Sequence, residues 1–115
     1  METWKCIEGF ENYQVSCIWR IKKIENDKEC KEKILKLSRN YWYLQVCLHK
    51  YWKPYTRRVH RLVAQEFIPN IYNKETVNHK NWIRDDNRVE NLEWATIKEN
   101  TIHKFKVLWY VNSQI

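Results

Sequence analysis

At 115 residues the chain has room for one domain, or one domain with a small appended module, and can bury a modest core; it is too short for a multi-domain enzyme. Twenty-one Lys and Arg stand against fourteen Asp and Glu, a formal charge of +7, with ten basic and seven acidic groups in residues 1–50 and eleven and seven in 51–115. Either half can therefore face a polyanion, although basic charge alone does not name one. Cys6, Cys17, Cys30 and Cys47 form no Cys-x-x-Cys pair, so no structural zinc is expected and the thiols read as reduced and mostly buried in strands. With no signal peptide and no long apolar run, the expected setting is intracellular and soluble, without a membrane role.

The first fifty residues alternate short apolar and aromatic runs with charged stretches: Trp4 to Ile7, Tyr13 to Ile24, Ile34 to Leu37 and Tyr41 to Leu48. These read as strands of an antiparallel sheet, with the polar run Glu25 to Glu32 as a solvated hairpin loop. From Arg57 the period changes. Val59, Leu62, Val63 and Phe67 recur at helical spacing, and Pro69, which lacks an amide proton, ends that helix. Asn70 to Thr76 reads as a loop. Val77 to His79 and Leu92 to Trp94 are short strand pieces flanking a polar loop. Thr96-x-x-Glu99 is a capping box that opens a final helix to about Phe105, with Ile97 and Phe105 turned to the core and Asn100 and His103 on one face.

The chemistry-bearing residues gather in that second half. His79 can take a proton near neutral pH, and Asn78, Asn87, Asn91 and Asn100 offer oxygen atoms suited to a hard cation. Together they are the minimum parts of a metal-assisted phosphodiester hydrolase. Packing the final helix across the two short strands would bring Asn100 opposite Asn78 and His79. The bland reading suits the other candidates better: His60 packs locally against the sheet, His49 is structural or exposed, and Trp94 is core.

Five segments fall in the order and spacing of one family: Val59-His60-Arg61-Leu62-Val63-Ala64, Phe67-Ile68-Pro69-Asn70, Val77-Asn78-His79, Asn87-x-Val89-x-Asn91-Leu92-Glu93-Trp94 and Glu99-Asn100. The chain thus resembles the HNH endonucleases, in the subgroup of phage and intron-encoded homing endonucleases. Trp4-Lys5-x-Ile7-x-Gly9-Phe10-Glu11-x-Tyr13-Gln14-Val15-Ser16 is similar to the small module that commonly precedes their nuclease domain.

The resemblance implies an α+β chain, with an N-terminal antiparallel β module over residues 1–50 that contacts DNA. A ββα-metal nuclease core, the His-Me finger, follows over 51–115. It implies His79 as general base, Asn91 as the brace of the loop that helps orient His79, and Asn78 and Asn100 as ligands of one divalent ion, magnesium first and manganese second. His103 is a further ligand candidate. Arg57, Arg58, Arg61, Lys80, Arg84 and Arg88 are candidates for gripping the phosphates of double-stranded DNA. The implied activity is DNA endonuclease, with nicking of one strand as one outcome, in the host cytoplasm if a phage or virus encodes it; the oligomeric state is open, with a monomer favoured.

Two departures from the family stand out. Asn78 occupies a position where some members carry Asp, a stronger ligand for a hard cation. Family members also usually have Gly where this chain has Trp19, Trp52 and Trp82, and often near Trp42, in turns that call for positive φ. These departures keep open an alternative, a catalytically weakened HNH-fold protein that acts as a DNA-binding module. An RNA-binding module is a third reading; the aromatic positions are mostly those of strand cores.

Overall fold

The computed structural model describes residues 1–26 and 31–103. Four strands form the first sheet in chain order: β1 (Trp4–Ile7), β2 (Phe10–Ser16), β3 (Ile21–Asn26) and β4 (Lys31–Ile34), each antiparallel to the next. A second sheet holds β5 (Ser38–Asn40), β6 (Tyr43–Lys50) and β7 (Lys53–Arg58). The helix α1 (Val59–Phe67) follows, then an antiparallel pair, β8 (Thr76–His79) and β9 (Leu92–Ala95), with a single 3-10 turn, Val89–Asn91, just before β9. Residues 97–103 are helical.

The α+β character is as expected from the sequence, but the single N-terminal sheet is two sheets. The run from Tyr13 to Ile24 is broken where Ser16 Oγ accepts hydrogen bonds from the amides of Ile18 (3.2 Å) and Arg20 (3.0 Å), which folds the chain back on itself. The run Ile34 to Leu37 is mostly connection, since only Ile34 belongs to a strand. The expected loop Glu25 to Glu32 is shorter, since Glu25 and Asn26 end β3 and Lys31 and Glu32 open β4; residues 27–30 lie outside the described residues, as does the expected extension of the last helix to Phe105.

Period-two alternation sets each core face. Tyr13 and Val15 on β2, Ile21 on β3, and Val46 and Leu48 on β6 are buried, and Val59, Leu62, Val63 and Ala64 supply the apolar stripe of α1. The helix packs on β1, β2, β6 and β7 on one side and on β8 and β9 on the other, so one core serves both sheets and the short pair. The same alternation turns Cys6 and Cys47 outward: both are exposed and Cys17 is half-buried, contrary to the expected burial of the thiols. Tyr13 Oη accepts the His49 amide (3.0 Å), the Glu66 carboxylate accepts the Glu8 amide (3.0 Å), and the Val89 amide donates to Cys17 O (3.1 Å).

Turn backbones carry visible strain. Gly9 takes φ +83° in the two-residue turn between β1 and β2, where a side chain would be penalised. Trp19, Tyr41, Tyr51, Trp52, Asn73 and Trp82 also have positive φ, a conformation that costs a non-glycine residue about 1–2 kcal/mol.

Candidate active site

A cavity of about 240 Å³ is lined by Tyr43, Thr76, Val77, Asn78, His79, Trp82, Arg84, Ile97, Asn100 and Thr101. It draws residues from β6, β8, the polar loop and the closing helix. Asn78 and His79 are buried at the end of β8, where Asn78 is paired with Glu93 and His79 with Leu92. Asn100 is delivered by the capping box. The Glu99 amide donates to Thr96 Oγ1 (3.0 Å) and the Thr96 amide to the Glu99 carboxylate (3.3 Å), which satisfies amides that the first helical turn leaves unpaired. Ile97 is 63% exposed, and its side faces the cavity rather than the core, because the helix offers that flank to the site.

His79 is held by Asn87. Its Nε2 lies 2.7 Å from Asn87 Oδ1, and since an amide oxygen only accepts, Nε2 carries the proton and Nδ1 keeps its lone pair. Burial pushes the imidazole below its usual pKa, outweighing the opposing pull of the Asn87 hydrogen bond and of Asp86, so the ring is neutral at pH 7. Beneath it lies His60, ring centroids 5.1 Å apart, itself stacked on Tyr43 at 4.9 Å. His60 is 5% exposed, and burial, with His79, Arg58 and Arg61 nearby, drives its pKa down to about 3.

Asn78 is oriented by Glu93, whose carboxylate accepts its Nδ2 at 2.9 Å and leaves Oδ1 without that constraint. Asn91 ties the loop together. Its Nδ2 donates to Asn81 Oδ1 (2.9 Å) and Asp86 O (2.7 Å), its Oδ1 accepts the Asn81 amide (3.1 Å), and its backbone carbonyl accepts the Lys80 amide (2.8 Å). The atom that meets the His79 ring belongs to Asn87, not Asn91. Asn87 and Glu93 lie in the quoted segment, but the motif reading gave neither of them a positioning role. Alternation carries the signal for Glu93, which lies opposite Asn78 in the strand register, whereas Asn87, 1% exposed in an otherwise wet loop, has no such signal in the spacing.

Residues that carry oxygen donors for a hard cation are available here, since Asn78 and Asn100 line one cavity beside a neutral imidazole. No group of three or more His, Cys, Asp or Glu suited to a metal occurs among the described residues. Such an ion would therefore depend on amide oxygens and on its other partners. His103 is not part of the cavity lining; its ring stacks on Trp82, centroids 5.4 Å apart and 11° from parallel.

The six basic candidates separate. Arg84 lines the cavity with its guanidinium 4.8 Å from the Trp42 ring, and Arg58 sits 4.9 Å from the Tyr43 ring. Arg88 is engaged by Asp86 at 2.7 and 2.8 Å and by Glu90 at 3.3 Å. Arg61 donates to Glu75 O (3.2 Å), Arg57 lies over Phe10 and Tyr55, and Lys80 borders a separate depression with Pro69 and Trp94. Arg39 clamps the far end of the loop, with two contacts to Asp85 at 2.7 and 2.6 Å.

Comparison with known proteins agrees with this architecture. Residues 57–102 match the HNH endonuclease family and residues 2–49 the NUMOD4 motif. An uncharacterised HNH endonuclease of Acanthamoeba polyphaga mimivirus is 43% identical over 89% of the chain and 26% of its own length. The DNA endonuclease I-HmuI of Bacillus phage SP01 is 38% identical over 84% of the chain and 54% of its length. A solved structure described as DNA binding and cleavage by the HNH homing endonuclease I-HmuI superposes with a TM-score of 0.79 at 35% identity, covering 90% of this chain and 58% of that one. The chain spans between a quarter and three fifths of the length of these proteins. The chain thus joins a NUMOD4 motif to an HNH endonuclease domain, and over most of its length it is similar to proteins named HNH homing endonucleases.

Proposed function

We propose that this chain is a metal-dependent DNA endonuclease in which His79 is the general base. The observation that carries the reading is the joint placement of Asn78, His79 and Asn100 on one cavity, with His79 buried, neutral and fixed through Nε2 by Asn87. Nδ1 accepts a proton from water, the resulting hydroxide attacks phosphorus, and the P–O3′ bond breaks with its electron pair leaving on the 3′ oxygen, which takes a proton from solvent while His79 returns its own to solvent. The products are a 5′ phosphate and a 3′ hydroxyl. Asn78, oriented by Glu93, and Asn100 would hold a divalent ion, magnesium or manganese. When bound, such an ion supplies charge neutralisation at the phosphate and at the departing oxygen. Arg84 and Arg58, beside the cavity, neutralise flanking phosphates of a DNA duplex, and residues 1–50 extend the contact along it.

The test is nicking of supercoiled plasmid with magnesium or manganese, compared with EDTA and with His79→Ala. Nicked circles from the wild type alone support the reading. A second reading, a DNA-binding module without cleavage, is favoured by Trp82, whose bulk forms part of the cavity wall beside His79. Intact plasmid with every ion, together with retarded mobility that fades as salt rises, would leave that reading standing and sink the first.

A further inference from the structure

We infer that residues 19, 52 and 82 are glycine positions, and that the natural chain carries glycine there. Tryptophan stands in for it through UGA, a codon that some genetic codes read as tryptophan and others as glycine. The inference rests on backbone geometry and composition and does not require the proposed nuclease activity, although glycine at 82 would remove the observation that favours the non-cleaving reading.

Six non-glycine residues have positive φ among the described residues, and three of them are tryptophan: Trp19 at +59°, Trp52 at +66° and Trp82 at +63°. Seven tryptophans in 115 residues would contribute fewer than one to such a set if residue type were irrelevant. The chain holds one glycine, where average usage of about 7% would give roughly eight. The tryptophan excess and the glycine deficit fall at the same backbone positions.

The environments of Trp52 and Trp82 do not account for them, whereas Trp19 packs in part against the core and its assignment rests on its backbone conformation alone. Trp52 is 100% exposed, so no packing offsets its backbone conformation. It is the second residue of a two-residue hairpin, Tyr51-Trp52, with both residues at positive φ, and that turn type favours glycine in second place. The corresponding β1–β2 hairpin has Glu8-Gly9, with glycine in the second place at +83°. Trp19 donates its amide to Ser16 O (3.1 Å) in the turn that Ser16 organises. Trp82 donates its amide to His79 O (3.0 Å), closing the turn just after the proposed base. Its indole N–H is out of solvent with no hydrogen-bond partner among the described residues. By contrast Trp94 donates from its indole to Ile68 O (2.8 Å) and packs on the core, and Trp4 sits in β1 under Lys22 and Arg20. Those two are ordinary tryptophans. Glycine at 82 would remove the indole from the cavity wall beside His79 and free the His103 ring from its stack.

The gene decides the matter directly. Codons 19, 52 and 82 are expected to be UGA and codons 4 and 94 UGG, and UGG at any of the first three overturns the inference. Peptide mass spectrometry of the protein from its natural source should give glycine masses at all three positions; tryptophan masses overturn it equally. In the recombinant chain, Trp52→Gly should raise Tm by roughly a few degrees, because the turn is relieved and no contact is lost, while Trp94→Gly lowers it. An unchanged or lower Tm for Trp52→Gly would refute the physical basis.

Discussion

Acidification offers a sharp test of the stack beneath the proposed base. His60 is 5% exposed, faces Tyr43 from β6 and His79 from β8, and has Arg58 and Arg61 as its nearest cations. Its folded pKa of about 3 lies below the unfolded value of 6.5. The folded state therefore keeps His60 neutral while the unfolded chain takes up a proton as pH falls through 6.5. Stability is undiminished above 6.5, declines as pH falls, and the loss is complete only near pH 3. Each pH unit below 6.5 costs about 1.4 kcal/mol, so pH 5 costs about 2 kcal/mol relative to pH 7.5. Glu2 and Asp86, both held down to about 2 by their arginine partners, change their protonation in the folded state only at much lower pH. Urea unfolding in EDTA at pH 7.5 and pH 5 measures the loss, and His60→Phe, which keeps a flat ring between Tyr43 and His79, should reduce it by about 2 kcal/mol. His79, also pushed down by burial, accounts for a remainder in both proteins. Parallel losses in wild type and His60→Phe, or a His60 proton resonance that titrates near 6.5, would refute the reasoning.

Two further predictions concern the site. Asn87→Asp replaces a neutral acceptor of the His79 Nε2–H by a carboxylate, which favours the imidazolium. The acid limb of the cleavage rate against pH should then move to higher pH, and an unmoved limb would deny Asn87 its role. Glu93→Ala should raise the magnesium concentration needed for half-maximal cleavage by about 10- to 100-fold, with Glu93→Gln retaining most of the wild-type response because its amide oxygen still accepts from Asn78. Equal behaviour of the two variants would show that Glu93 does not act through Asn78.

Much of this arrangement is legible in the sequence where period and capping chemistry are strong. Val59, Leu62 and Val63 announce α1, and Thr96 with Glu99 announces the closing helix, because those signals are local. The split into two sheets is not legible. β5 is three exposed residues without an apolar pattern, and its partner is chosen by pairing with β6 rather than by anything within Ser38–Asn40. The outward thiols could have been read: Cys47 stands between Val46 and Leu48, so strict alternation already turns it to solvent. Asn87 is harder, because the loop holds several amides and spacing does not tell which one reaches a ring eight residues back. Ile97 misled for a related reason, since an apolar residue in the first turn of a helix serves a cavity wall as well as a core.

The hairpin of β6 and β7 straddles the interval between the two family matches, which end at residue 49 and resume at residue 57. A breakpoint in that interval would separate strands paired from Gln45–Arg58 to Lys50–Lys53. A viable recombinant must therefore bring a second β-strand able to resume the same register, with Val46 and Leu48 still facing α1. Any exchange of the N-terminal segment is in this way restricted to donors that share the same pattern of inward side chains along one hairpin.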